Sequence, residues 1–99
     1  ESFDEAETLC NRAIRNSDNP GGALTARGYL NFMRGNLEAA GSDFDRATQA
    51  DPYSASAIYG RGVVHMRQGR VSEGEADMAR GRAMDSFDVD FYANAGLTP

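Results

Sequence analysis

Lysine is missing from this chain. All ten basic residues are arginine, set against fifteen carboxylates for a net charge of −5. That balance withholds the basic face a phosphate backbone requires, so no nucleic-acid partner is expected. An all-arginine complement is what a GC-rich genome leaves, but it has a physical consequence: arginine makes planar, forked ion pairs that lysine cannot. Tryptophan is absent too, and Cys10 and His65 are the single cysteine and the single histidine. One cysteine closes no intrachain disulfide and builds no cysteine-rich zinc module; it leaves the compartment open, cytoplasmic or periplasmic. One histidine with no second ligand at metal spacing gives no metal site. No spacing supplies a base held by a third group for nucleophilic catalysis either, and His65 reads as a packing residue between helices. No apolar run approaches the ~18–20 residues of a membrane span, and no charged-then-apolar start marks a signal peptide. The chain does not open on Met, so an upstream segment is expected.

Other chemistry is missing as well. No Lys-Ser or Lys-Thr follows a glycine-rich turn, so there is no phosphate loop. The close carboxylates Asp43 and Asp45, Glu73 and Glu75, Asp88 and Asp90 stand two apart. On a helix such residues point in different directions, which suits a solvated acidic face and not an acid–base dyad. Neither a cofactor nor an enzymatic activity is expected.

What the chain does have is a repeat. The stretch from Arg27 to Pro52 returns, without a gap, from Arg61 to Ser86. Gly28 meets Gly62, Gly35 meets Gly69, Asp43 meets Asp77, and Asp51 meets Asp85. A fixed period of this length signals a helical repeat array.

Local signals supply the helices. Ser2 with Glu5 makes a capping box, and Ala6, Leu9, Cys10, Ala13 and Ile14 follow at helical spacing until the turn cluster from Asn16 to Gly21. Further helices are predicted over about 22–34, 37–50, 54–68 and 71–84, with a short sixth over about 88–95. Gly35 and Gly69 are left-handed stops, Asn36 is placed to cap the third helix, and Pro52 ends it. No stretch has the character of a strand. The loops are short, so successive helices should run antiparallel.

Leu24, Arg27, Gly28 and Asn31, then Ala40, Phe44, Ala47 and Pro52, fall in order along the first unit. Ile58, Arg61, Gly62 and His65, then Gly74, Met78, Gly81 and Ser86, fall in the same order along the second. This pattern resembles the tetratricopeptide repeat family, whose signature is W-x2-L-G-x2-Y, then A-x3-F, then P. The resemblance covers nearly the whole chain. It implies an all-α superhelix of helical hairpins with about six helices. The expected division is a single array: 1–20 the second helix of a partial repeat, 21–54 and 55–88 full repeats, and 89–99 a terminal capping helix. Small residues, Gly28 and Gly62 among them, should let paired helices approach. Phe44, Met78 and Cys10 share one phase and should be core.

The departures carry a sharper expectation. Arg27 and Arg61 stand where the family has Leu, and Asn31 and His65 where it has Tyr. Arg27 lies sixteen residues before Asp43, as Arg61 does before Asp77. In this family that separation sets two helices side by side, which implies two Arg–Asp bridges clamping the hairpins.

By the same resemblance the first helix of each pair lines a concave groove. The matching positions are Gly22, Thr25, Tyr29, Phe32 and Met33, then Ser56, Tyr59, Val63, Met66 and Arg67. Tyr29 and Tyr59 should be accessible, while Phe32 and Met66 divide between the groove and the neighbouring repeat. An apolar, aromatic groove implies a peptide or protein partner and a non-catalytic interaction scaffold. The chaperone-tail clamp of some relatives is not matched, since Thr25, Tyr29, Ser56 and Gly60 occupy its positions. Two alternatives stand beside this reading: self-association as a homodimer, and a substrate-positioning part of a larger enzyme.

Overall fold

The computed structural model describes residues 2–84. Five α-helices follow one another: α1 (Ser2–Asn16), α2 (Gly21–Met33), α3 (Leu37–Ala50), α4 (Ala55–Arg67) and α5 (Val71–Met84). Among the described residues there is no strand. The sixth helix over 88–95, the terminal segment 89–99 and the pair Asp88 and Asp90 lie outside the described residues.

Each hairpin turns on the same device. Gly35 and Gly69 sit at φ +85° and +83°, a left-handed conformation that glycine takes without a Cβ penalty. At the first turn the Asn36 N–H donates to the Asn31 carbonyl (2.8 Å) and the Gly35 N–H to that of Phe32 (3.0 Å). At the second, Arg70 donates to His65 (2.8 Å) and Gly69 to Met66 (3.1 Å). These are the paired bonds of a Schellman stop, which satisfy the last carbonyls of a helix.

The helix starts differ from one another. Asn36 precedes α3 but its side chain makes no cap hydrogen bond, contrary to the expectation from sequence. Its backbone is occupied in the preceding stop and sits at ψ 78°, short of the extended geometry of Ser54 at ψ 104°. Ser54 does cap α4, its hydroxyl accepting from the Ala57 N–H at 3.3 Å.

The hairpins α2–α3 and α4–α5 pack most extensively. Phe44 is buried with its ring between two helices, at positions where each carries glycine. A Cβ on Gly28 would stand 3.0 Å from that ring and one on Gly60 only 2.7 Å. In the second hairpin the contact is backbone on backbone: a Cβ on Gly62 would lie 2.9 Å from the Gly74 carbonyl, and one on Gly74 2.9 Å from that of Gly62. Helical glycine costs ~1 kcal/mol relative to alanine, and this close approach is what offsets it. Cys10 is only half-buried, because α1 is covered by α2 along one flank alone.

Candidate functional site

Two arginines organise the interior polar contacts. The Arg27 guanidinium donates Nε to Asp43 Oδ2 (3.0 Å) and Nη2 to Oδ1 (2.7 Å), a two-pronged pair joining α2 to α3. Its Nη1 reaches the other way, to Asn11 Oδ1 on α1 at 2.9 Å. Asn31 adds a third donor to Asp43 at 2.8 Å. Asp43, expected on a solvated acidic face, is instead 4% exposed; only Asp45 of that pair is exposed.

One unit on, the arrangement returns. Arg61 donates to Asp77 through Nε (2.8 Å) and Nη2 (3.0 Å), joining α4 to α5. Its Nη1 turns back to α3, to Thr48 Oγ1 at 3.1 Å and Asp45 Oδ1 at 3.5 Å. Each arginine therefore ties three helices. Hydrogen bonding to the carboxylate holds both guanidinium pKa values above the ordinary arginine value, against the smaller opposing effect of burial. His65 takes the place of Asn31, with Nε2 3.8 Å from Asp77 Oδ2 and Nδ1 buried without a hydrogen-bond partner. A shallow depression of about 400 Å³ beside this cluster is lined by Asp45, Arg61, His65, Glu73 and Asp77, among others. Among the described residues no group of three or more His, Cys, Asp or Glu is arranged to hold a metal ion.

Several of the residues expected to line a groove meet between α2 and α4. Tyr29, Phe32 and Met66 are half-buried and pack against a cluster of Tyr59, Val63 and Met78. Met33 is exposed, and Thr25 is half-buried with its hydroxyl bonded to the Gly21 carbonyl at 2.9 Å. The Arg67 guanidinium stacks over the Phe32 ring at 5.1 Å.

Two of the expected groove residues are not on its surface. Tyr59 is 3% exposed and Val63 2%, so the expectation of an accessible Tyr59 is wrong. Tyr29 and Phe32 of α2 and Met66 of α4 pack over both, and Met78 of α5 packs beside them. A Cβ on Gly81 would stand 2.9 Å from Tyr59 Cβ, so the missing methyl lets α5 close onto α4. Alanine holds the equivalent position, Ala47, one unit earlier. Arg82 then lies over the Tyr59 ring at 5.7 Å. Tyr59 and Val63 are the floor of the face, not its contact surface.

The family profile described as tetratricopeptide repeat matches residues 1–55, more than half of the chain. The chain belongs to the tetratricopeptide repeat family. A search of curated proteins finds no match, and neither does a search of solved structures. Within the tetratricopeptide pattern the arginine ladder has a clear place. Arg27 and Arg61 hold the signature Leu positions and Asn31 and His65 the signature Tyr positions, so a polar constellation replaces the apolar contact between paired helices. Tetratricopeptide proteins serve in general as protein-interaction scaffolds and are typically non-catalytic. No helix among the described residues is long and apolar enough to cross a membrane.

The sixteen-residue spacing, taken with the family resemblance, pointed to the Arg–Asp partners but missed Asn11 and Asp45. The signal was present: 11, 27 and 43 form a progression of sixteen, and so do 45, 61 and 77.

Proposed function

We propose that this chain is one non-catalytic array, with units at 21–54 and 55–88, that takes an apolar peptide or protein segment against the α2–α4 face. Neither nucleic acid nor a cofactor takes part. The observation that carries this reading is the gathering of Tyr29, Phe32 and Met66 around a packed floor, with Arg67 over Phe32 and the exposed Met33 four residues on from Tyr29 along α2. Tyrosine supplies amphipathic contact area and methionine adapts to varied partners. The arginine ladder serves the same end indirectly, since it fixes α2 and α4 relative to α3 and so the spacing of the contact residues.

The test is selection of random peptides displayed on phage against the folded chain, followed by binding to variants. Peptides rich in aliphatic and aromatic residues are expected. Met33→Asp, at an exposed position, should weaken them at least about tenfold, or about 1.4 kcal/mol. Peptides that bind Met33→Asp and Tyr29→Ala as tightly as the unaltered chain would refute the assignment of this face.

A further inference from the structure

Building on the α2–α4 face as the contact surface, we propose that the segment it takes carries an aspartate or glutamate beside its apolar anchor. Arg67 receives that side-chain carboxylate.

Charge is divided between two sets of helices. Helices α1, α3 and α5 hold three carboxylates each. Helices α2 and α4, 13 residues each, hold none of the chain's fifteen. Burial does not explain this, because α2 and α4 do carry charge, as Arg27, Arg61 and Arg67. One sign of charge is missing from them, not charge itself. Arg27 and Arg61 are committed to Asp43 and Asp77, whereas Arg67 is exposed. In a chain of net charge −5, the two helices that form the contact face are thus the two without negative charge. A surface of this kind favours a partner of the opposite sign and repels a basic one.

The geometry sets a guanidinium on the apolar cluster itself. Arg67 lies 5.1 Å over the Phe32 ring, and Phe32 packs with Tyr29 and Met66 against Tyr59 and Val63. Met33, the next residue along α2, is exposed. Arg82 of α5 stands likewise over the Tyr59 ring, at 5.7 Å. A guanidinium stacked on a ring presents its N–H groups along its edge, in a fork that matches a carboxylate. The ring also restricts its rotamers, so less freedom is lost when the carboxylate arrives. An apolar residue against Tyr29 and Met33, with an acidic neighbour at Arg67, answers both features. The carboxylate is a side chain and not a chain end: where some tetratricopeptide proteins hold a chain end, Thr25, Tyr29, Ser56 and Gly60 stand here.

The test extends the phage selection to a second target. Peptides are selected on the unaltered chain and on Arg67→Glu, displayed with their C-termini fused so that only side chains supply carboxylates. Those from the unaltered chain should carry Asp or Glu near an aliphatic or aromatic residue. Made as amidated synthetic peptides, they should bind Arg67→Glu at least about tenfold more weakly, and Arg67→Gln at least about threefold. Arg12→Glu, the same charge change at an exposed position of α1, should bind them as the unaltered chain does. Peptides selected on Arg67→Glu should carry Arg or Lys instead, a reversal that a structural role for Arg67 would not produce. Urea unfolding checks that each variant is folded. Peptides that need Met33 but lack an acidic residue, or that keep their affinity for Arg67→Glu and Arg67→Gln, would overturn the acidic partner and leave the face assignment standing. Equal losses on Arg67→Glu and Arg12→Glu would trace the effect to net charge and overturn it as well. Peptides indifferent to Met33→Asp and Tyr29→Ala, or no peptides at all, would remove the face and the acidic partner together.

Discussion

Removing the Arg27 guanidinium should cost far more than removing a surface arginine. In Arg27→Leu the buried Asp43 carboxylate keeps one donor, Asn31 at 2.8 Å, and loses both prongs of the guanidinium. Its side chain is 6% exposed, so little solvent reaches it beside the pair. Breaking a buried pair from one side typically costs ~3–5 kcal/mol, because an uncompensated charge is left behind. The lost Asn11 contact adds to this by releasing α1. Asp43→Ala should cost less, about 2–3 kcal/mol, since it strands the buried Asn31 amide at ~1–3 kcal/mol while Arg27, 21% exposed, still reaches solvent and Asn11. The double variant Arg27→Leu with Asp43→Leu removes the charge pair together. It should fall at least about 2 kcal/mol short of the summed single effects, a coupling within the range for residues in contact.

Urea unfolding followed by far-UV circular dichroism measures all three. With m near 1.5 kcal/mol per molar, a cost of ~3–5 kcal/mol moves the midpoint by roughly 2–3 M. A small domain has only ~5–15 kcal/mol in all, so Arg27→Leu should remove a large fraction of the stability. Arg34→Ala is the control. Its carboxylate partners are Asp4 and Glu7, the first exposed and the second at the surface, and it should cost no more than ~1 kcal/mol. A cost for Arg27→Leu no larger than that of Arg34→Ala, or additive single and double variants, would refute the buried-clamp reasoning.

Three further outcomes follow from the same coordinates. Gly62→Ala should destabilise by ~1–3 kcal/mol in thermal unfolding, since its Cβ would meet Met78 Cγ at 2.8 Å and the Gly74 carbonyl at 2.9 Å; Gly22→Ala, with nothing within 4 Å, should stabilise α2 by up to ~1 kcal/mol. Ser54→Ala should cost ~0.5–2 kcal/mol through loss of the α4 cap, whereas Asn36→Ala should cost less, having no side-chain cap bond to lose. Burial holds the Cys10 thiol above its ordinary pKa, only partly offset by Arg27. Its alkylation rate should therefore rise with pH at a higher midpoint than that of the unfolded chain in urea. Stability should fall as pH climbs through the ordinary thiol range, where only the unfolded state has released its proton.

Much of the fold was legible because the repeat constrains it twice over. Gly35 and Gly69 each stand where a helix must stop in a left-handed residue, and the backbone bonds at both turns are the same. Asn36 was not legible as a non-capping residue. Its composition suits the role, but the preceding glycine stop takes its N–H and sets its ψ. Position within a motif decided the matter against residue preference.

The candidate site was legible in its clamps and misleading in its surface, for one physical reason. A hydrogen-bonded pair is specified by two residues whose spacing can be read along the chain. Exposure depends on what a third element lays over a residue, and that is not written in the spacing of two positions. Thr25 and Tyr29 occupy in the first unit the places that Tyr59 and Val63 hold in the second. The first two stay half-buried and the second two are buried, since Tyr29 and Phe32 of the first unit pack over Tyr59 and Val63 of the second. Substituting Gly81 by Ala would place a Cβ 2.9 Å from Tyr59 Cβ and 3.2 Å from the Ala55 carbonyl, pushing α5 away from α4. The two units are thus equivalent in backbone plan and unequal in surface. The first lays Tyr29 and Phe32 over Tyr59 and Val63 of the second.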